Sequence, residues 1–424
     1  MHLVAFALAL LQESPAPRAL ADAVDERNVA GSFRAISELV DLADTRGVDV
    51  EKEAARLPAF YREVLLSELK SKRVLGDRFG RGIRMDLKGT GRDLWDYLEE
   101  IGRLPGMAVK IEEWNRKYGL TTPFDVELKD VWAIEALARV CDIGRHGFSP
   151  SWMDKAWSFN RGWDGVSKPP VPQPNWFFYR NIAVRQPYVR WRKLIDFSGP
   201  PKWRAILGVS VTLGPETPAV MWKDMKAIEV LGEDGKVMKR APAEDTAIPG
   251  FESNSPSGVP GPMEIALELA ERTESKISRL RCSLVACVPQ ERRHYVIDEP
   301  LKKATAGDEY FEVTLREPVA PDSWGNSPEI HVRPKRASHA DLAGIPCTVL
   351  YRFEANSGAP GAGGFVFSGK GESMVARTPF GTLRPGARLP GGEKLRQLLR
   401  VEVIIPIGLQ DRPVFVEFRD IPLR

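Results

Sequence analysis

Six of the eleven tryptophans, Trp152, Trp157, Trp163, Trp176, Trp191 and Trp203, fall between residues 152 and 203. Flat aromatic rings offer contact area at little conformational-entropy cost, so such a cluster could stack on sugar rings or bases. Across 180–204 stand seven basic residues, Arg180, Arg185, Arg190, Arg192, Lys193, Lys202 and Arg204, with Asp196 the only acid. Basic residues interleaved with aromatics have the composition of a polyanion groove. The candidate contacts are therefore Trp176, Arg190, Trp191, Arg192, Trp203 and Arg204. In a strand Arg190 and Arg192 share a face and Trp191 takes the other. The ordinary alternatives are core packing for the tryptophans, with Trp191 and Trp203 as a cross-strand pair, and a solvated, aggregation-resistant strand face for the arginines.

Other chemistry-bearing residues are dispersed. The five histidines, 2, 146, 294, 331 and 339, include no HExxH motif and no close pair, so no metal site is nominated. Glu99-Glu100 and Glu112-Glu113 suit solvated faces, and no catalytic acid is named. No serine stands in a GxSxG elbow, and GAPGAGGF at 358–365 lacks the Lys-Ser/Thr of a phosphate loop, which leaves a hairpin loop. No cofactor is implied, and the chain leans away from catalysis. The four cysteines, Cys141, Cys282, Cys287 and Cys347, form no CxxC pair. Cys282 and Cys287 fall on opposite faces of a strand, leaving either a bridge to Cys347 or buried free thiols.

The elements that must position these residues begin with a duplication. Ile83, Met85 and Leu87 alternate before Leu94, Tyr97, Leu98 and Ile101, and Phe124, Val126 and Leu128 alternate before Ile134, Leu137, Ala138 and Cys141. Each copy passes from a period of two to the i, i+3, i+4, i+7 spacing of an amphipathic helix, and MDLK matches VELK. Met107, Val109 and Ile111 form a further strand between the copies.

At 424 residues, with 36 glycines and 34 prolines, the chain is several domains rich in turns and short strands. A net charge of +3 from 60 basic and 57 acidic residues gives no chain-wide attraction to nucleic acid or anionic lipid. Leu3 to Leu11 is an apolar run of signal-peptide length, followed by Ala19-Leu20-Ala21, although no Lys or Arg precedes it. The expectation is export to the bacterial periplasm or envelope, against the alternative of a buried N-terminal element. No stretch approaches the roughly 18 apolar residues of a membrane helix.

The organisation expected is α+β and multidomain: a leader at 1–21, a helical segment at 22–80 with Pro58 as a break or a new start, and the paired βα unit at 81–150. A Trp/Pro-rich linker at 151–175 and two antiparallel β-sandwich-like domains at 176–318 and 319–424 complete it.

The texts MDLKGTGRDLWDYLEEIGRL and VELKDVWAIEALARVC are similar to the short N-terminal module of secretins and TonB-dependent receptors. The layout, ending in VEFRDIPLR, resembles a group of uncharacterised secreted bacterial proteins. The family resemblance implies docking to envelope proteins or neighbouring subunits rather than catalysis, and it carries over no site residues. No TonB box, plug or pore-forming region is recognisable, so transport through this chain is not expected. The function expected is therefore non-enzymatic binding or assembly through an envelope protein or polysaccharide, with homo-oligomerisation open and no nucleic acid. The rivals are a carbohydrate-binding or carbohydrate-active protein using the Trp-rich β-domain, and a self-associating structural protein.

Overall fold

The computed structural model describes residues 24–45, 49–111, 122–151, 155–161, 175–194, 202–216, 219–239, 263–269, 275–298, 304–316, 328–335, 346–353, 361–368, 374–377, 381–382 and 396–423. Residues 1–21, expected to be a leader, Glu112-Glu113, Trp152, Trp163, the KPPVPQP segment and His339 lie outside the described residues.

The helical segment holds α1 (Val29–Thr45), α2 (Val50–Ala54) and α3 (Ala59–Leu75), then a 3-10 turn at Gly76–Phe79. Asp49 caps α2 by accepting from the Lys52 amide. Pro58 is the residue before α3, where its missing amide hydrogen breaks no helical bond.

The duplication folds as two strand–helix–strand units. They are β1 (Arg84–Arg92), α4 (Leu94–Gly102) and β2 (Val109–Lys110), then β3 (Phe124–Trp132), α5 (Ala133–Ile143) and β4 (His146–Ser151). β1 and β3 pair antiparallel, with Leu87 of MDLK opposite Leu128 of VELK. A last strand, β5 (Ala156–Arg161), enters between the second strands of the copies, parallel to β2 and antiparallel to β4. The helix faces expected from spacing, Leu94, Tyr97, Leu98 and Ile101 against Ile134, Leu137, Ala138 and Cys141, are all buried. Trp157 of β5 is fully buried with them. The stretch read as a linker at 151–175 thus supplies the central strand of the module's second sheet.

The remaining strands are β6 (Asn175–Tyr179), β7 (Ile182–Leu194), β8 (Lys202–Leu213), β9 (Met221–Gly232), β10 (Met263–Leu269), β11 (Lys276–Asp298), β12 (Thr305–Gly307) and β13 (Phe311–Arg316). They continue with β14 (Glu329–Pro334), β15 (Pro346–Phe353), β16 (Gly361–Ser368), β17 (Met374–Arg377), β18 (Gly381–Thr382) and β19 (Arg396–Pro422). One sheet runs β10-β8-β7-β6, a second β12-β13-β14-β17, and a third β16-β15-β19-β11-β9 with β18 beside β19. The fold is α+β, mostly strands in several antiparallel sheets, with the helices toward the N-terminus.

β11 and β19 pair from Lys276↔Pro422 to Asp298↔Arg400. At about 3.4 Å per residue this ribbon is roughly 75 Å long. Its one end shares a core with α1, α3 and the β10-β8-β7-β6 sheet, through Leu280, Leu284, Val414 and Phe418. Its other end shares a core with the β12-β13-β14-β17 sheet, through Tyr295, Ile297, Val401 and Val403. The sequence places a domain division at residue 318, but the two packed regions meet part-way along β11 and β19. LRVEVIIPI and VFVEFRDIPL, read as separate strands, are one strand passing through Gly408, whose φ of 62° suits glycine. Residues 361–365 of the glycine-rich segment, expected to be a loop, form part of β16 against β15.

Candidate functional site

The six nominated residues divide between two faces of the β10-β8-β7-β6 sheet. Trp176 pairs with Arg185, which pairs with Ser210; Arg190 pairs with Ile206, and Arg192 with Arg204. The irregularity between Arg185 and Tyr188 offsets the parity of β7, so Trp176, Arg190, Arg192 and Arg204 all occupy the outer face. Trp191 and Trp203 occupy the inner face and pack edge-to-face at 6.4 Å against the main core. The Trp191 indole Nε1 donates to the Leu423 carbonyl at 2.9 Å, tying β7 to the C-terminal segment. The tryptophans and arginines therefore form no single groove. On the outer face Arg190 pairs with Glu264, and Arg204 stands across from Glu268 on β10, which offsets part of the positive charge.

At the other end of that outer face, the module docks. Phe148 of β4, Trp176 and Phe178 form a stacked column with centroid separations of 6.1 and 5.3 Å, and Arg185 lies 5.8 Å over Trp176. Trp176 Nε1 donates to Asp142 Oδ2 of α5 at 2.7 Å. Burial raises the Asp142 pKa above its ordinary value, against the opposing effect of that indole bond and of Arg185. Trp176 is thus an interface residue that holds the module to the sheet.

Two ionic clusters, buried except at Asp41, hold the helical segment in place. In one, Glu417 of β19 accepts from Arg281 Nε at 2.9 Å and from the Tyr61 hydroxyl at 3.1 Å. Burial, then Glu417, pushes the Tyr61 pKa up to about 12. In the other, two guanidiniums pack on the Phe79 ring, Arg180 at 5.2 Å and Arg412 at 4.6 Å from its centroid. Arg180 donates to Asp41 Oδ1 at 2.9 Å and to the Ser37 carbonyl at 2.7 Å. Arg412 Nη2 is 3.8 Å from Glu68 Oε2, both groups fully enclosed. Burial raises the Glu68 pKa against the pull of Arg412 and Arg180, and burial lowers that of Arg412 against Glu68. For Arg180, burial pulls downward but Tyr179, Asp41 and Glu68 outweigh it and hold the guanidinium above its usual value.

Beside this Phe79 clamp, Gly76, Asp77, Arg78, Arg81 and Ile83 border a cleft of about 1140 Å³. The cleft opens where the end of α3 and the 76–83 segment meet Pro105 and Lys155 of the module, the Pro215-Glu216 turn and the middle of β11. Its cations are Arg73, Arg78, Arg81, Lys155 and Arg292; its carboxylates are Asp77, Glu216 and Glu291, the last paired with Arg293 at 3.0 Å. Arg81 also lines an adjoining hollow of about 440 Å³ together with Arg180. Sequence reasoning passed over this site, although the alternation of Gly and Arg in GDRFGRG at 76–82 was a visible local signal.

The remaining candidates have structural surroundings. His146 Nδ1 contacts the Gly144 carbonyl at 2.7 Å, His294 meets Glu402 at 2.7 Å and His331 meets Glu329 at 3.1 Å. Glu100 pairs with Arg92 at 2.6 Å. The four cysteines are buried free thiols, with Cys141, Cys282 and Cys347 each in a different core. Among the described residues no group of three or more His, Cys, Asp or Glu is disposed to hold a metal, and no helix is long and apolar enough to cross a membrane. No family model, no curated protein and no solved structure matched this chain.

Proposed function

We propose that the chain is a non-enzymatic binding or assembly protein of the bacterial envelope, with the module at 84–161 as its docking unit. The apolar leader run and the resemblance of the paired βα text to the secretin and TonB-receptor module motivate the location and style of action. The observation that carries the reading is the β1–β3 ribbon. Its inner face packs on α4 and α5, while Asp86, Lys88, Thr90, Asp125, Glu127 and Lys129 stand exposed on its outer face. Among the described residues, each strand of the ribbon pairs on one side only. An open strand edge is a template for strand addition, in which main-chain bonds supply affinity and side chains supply selection. The occupant that fits is an extended segment of an envelope protein carrying charges of both signs. The carbohydrate-platform reading is less well supported, because Trp191 and Trp203 face the core and Trp176 is committed to the Phe148–Phe178 column.

The test is site-specific photocrosslinking of the full chain in its native envelope, with the photoreactive residue at Lys88, at Lys129 or at the distant exposed Asp234. A common partner captured from 88 and 129 but not from 234 is the expected result. Equal capture from all three positions would overturn the ribbon as the docking site. Adducts consisting only of a second copy of the chain would replace this reading with self-association.

A further inference from the structure

The cleft beside the Phe79 clamp has a chemistry of its own, on a different part of the molecule from the ribbon. Among the described residues, Arg73, Arg78, Arg81 and Lys155 make no ion pair, although all four line the same 1140 Å³ space. Arg73 stands in the last turn of α3, where the helix dipole already favours a cation. Arg78, Arg81 and Lys155 lie beyond the helix, where its dipole does not account for them. The cleft's cations outnumber its carboxylates, Asp77, Glu216 and Glu291, and an excess of like charge in one concavity focuses a positive potential that an anion relieves. Guanidiniums present planar forks suited to phosphoryl oxygens, and lysine adds a mobile point charge.

The cations sit on an anchored support. Phe79, between Arg78 and Arg81, is held by the Arg180 and Arg412 guanidiniums. On the far side of Arg81, a Cβ at Gly82 would lie 2.8 Å from Arg180 Cα and 2.6 Å from the Trp132 ring, so the backbone passes there only as glycine. Fixing the main chain on both sides of Arg81 lowers the ordering cost of a bound anion. Burial lowers the Arg292 pKa to about 10, which leaves that guanidinium charged at neutral pH.

We propose that this cleft is a binding site for a multiply charged phosphoryl group, contacted by Arg78, Arg81 and Lys155. The phosphoryl group comes either from a lipid headgroup or from a soluble phosphorylated ligand. The proposal does not depend on the ribbon docking a partner.

The experiment is calorimetric titration of the full-length protein with inorganic tripolyphosphate, repeated on R78E/R81E, on K155Q and on R333E, an exposed position on β14. Circular dichroism and thermal melting confirm that each variant is folded; R81Q replaces the double variant if that one is not. The expected result is saturable one-to-one binding, weakened at least about tenfold by R78E/R81E, weakened less by K155Q and unchanged by R333E. Vesicles bearing phosphatidic acid distinguish the sources. Vesicle binding displaced by tripolyphosphate assigns the headgroup, and tripolyphosphate binding without vesicle binding assigns a soluble ligand. Absence of tripolyphosphate binding to the wild type, or equal weakening in R333E, overturns the proposal.

Discussion

Leu87 and Leu128 hold the same position in the two strand–helix copies and face each other in the β1–β3 ladder, yet Leu87 is fully buried and Leu128 only partly. The pseudo-two-fold relation is therefore exact in register at this pair but unequal in packing. Leu87→Ala is expected to cost about 2–5 kcal/mol, because it leaves a cavity among helix side chains that relax only partly. Leu128→Ala is expected to cost less, about 1–2 kcal/mol. Chemical unfolding followed by tryptophan fluorescence measures both, and a larger loss at Leu128 would contradict this packing asymmetry.

The Trp176–Asp142 bond predicts a mutation effect that depends on pH. Burial already raises the Asp142 pKa, so this group's contribution to stability is complete below its ordinary value and is lost as pH rises through its folded value. Trp176→Phe removes the donor that steadies the charged carboxylate. The loss should be about 1–3 kcal/mol at neutral pH and smaller in acid, where Asp142 is protonated. Unfolding midpoints at neutral pH and below the usual carboxylate range give the two values. An equal loss at both would mean that Trp176 acts through ring packing alone.

How much of this was legible in sequence depended on the range of the interactions. The buried faces of α4 and α5 follow from 3.6-residue spacing, which a local window contains, and the alternation of Arg190, Trp191 and Arg192 was read from strand parity alone. The continuity of β11 and β19 was hidden because Pro289, Pro406, Gly408 and Pro413 resemble breaks locally. Only the partner strand, more than a hundred residues away, holds them in register. β5 was hidden for a related reason: its burial comes from insertion between β2 and β4, and its own text is only Ala156–Arg161. The cleft draws on α3, the module, the turn after β8 and β11, so no window of sequence contains it.

The enclosed Glu68–Arg412 pair predicts strong non-additivity. Neither side chain reaches solvent, and their 3.8 Å separation is longer than a hydrogen bond. Arg412→Met alone should cost about 3–5 kcal/mol, since it leaves Glu68 buried without its closest cation. Adding Glu68→Gln should recover part of that loss, because the carboxylate charge is removed. Denaturant unfolding of the two single variants and the double variant gives the coupling. Simple additivity would show that the pair does not interact energetically.

Tyr61 predicts the behaviour of the fold in alkali. Its folded pKa, raised from 10.0 to about 12, means that its contribution is fully present below about 10 and lost as pH rises through about 12. Tyr61→Phe gives up the bond to Glu417, at a cost of about 0.5–1.5 kcal/mol at neutral pH. It also removes the ionisable hydroxyl. The stability gap between wild type and variant should therefore narrow across that alkaline window, as measured by urea unfolding at successive pH values. A constant gap would place the ionisation of Tyr61 outside the folded core.

Arg192 and Arg204 are direct cross-strand partners, two like charges on the outer face of the β10-β8-β7-β6 sheet. Opposed like charges in an antiparallel pair are unfavourable, whereas an opposite-charge pair contributes about 0.2–1 kcal/mol. Arg192→Glu is thus expected to stabilise the chain modestly at low salt, with the gain shrinking as salt shortens the screening length. Thermal melting at low and high ionic strength checks both the sign and the salt response. Destabilisation at low salt would instead indicate that Glu264 and Glu268 dominate the local field, because the new carboxylate would then meet net negative charge. The outcome bears on anion binding as well: if replacing this arginine strengthens the fold and leaves tripolyphosphate affinity intact, Arg192 is excluded as a binding cation, the result expected when the anion sits in the cleft at Arg78 and Arg81.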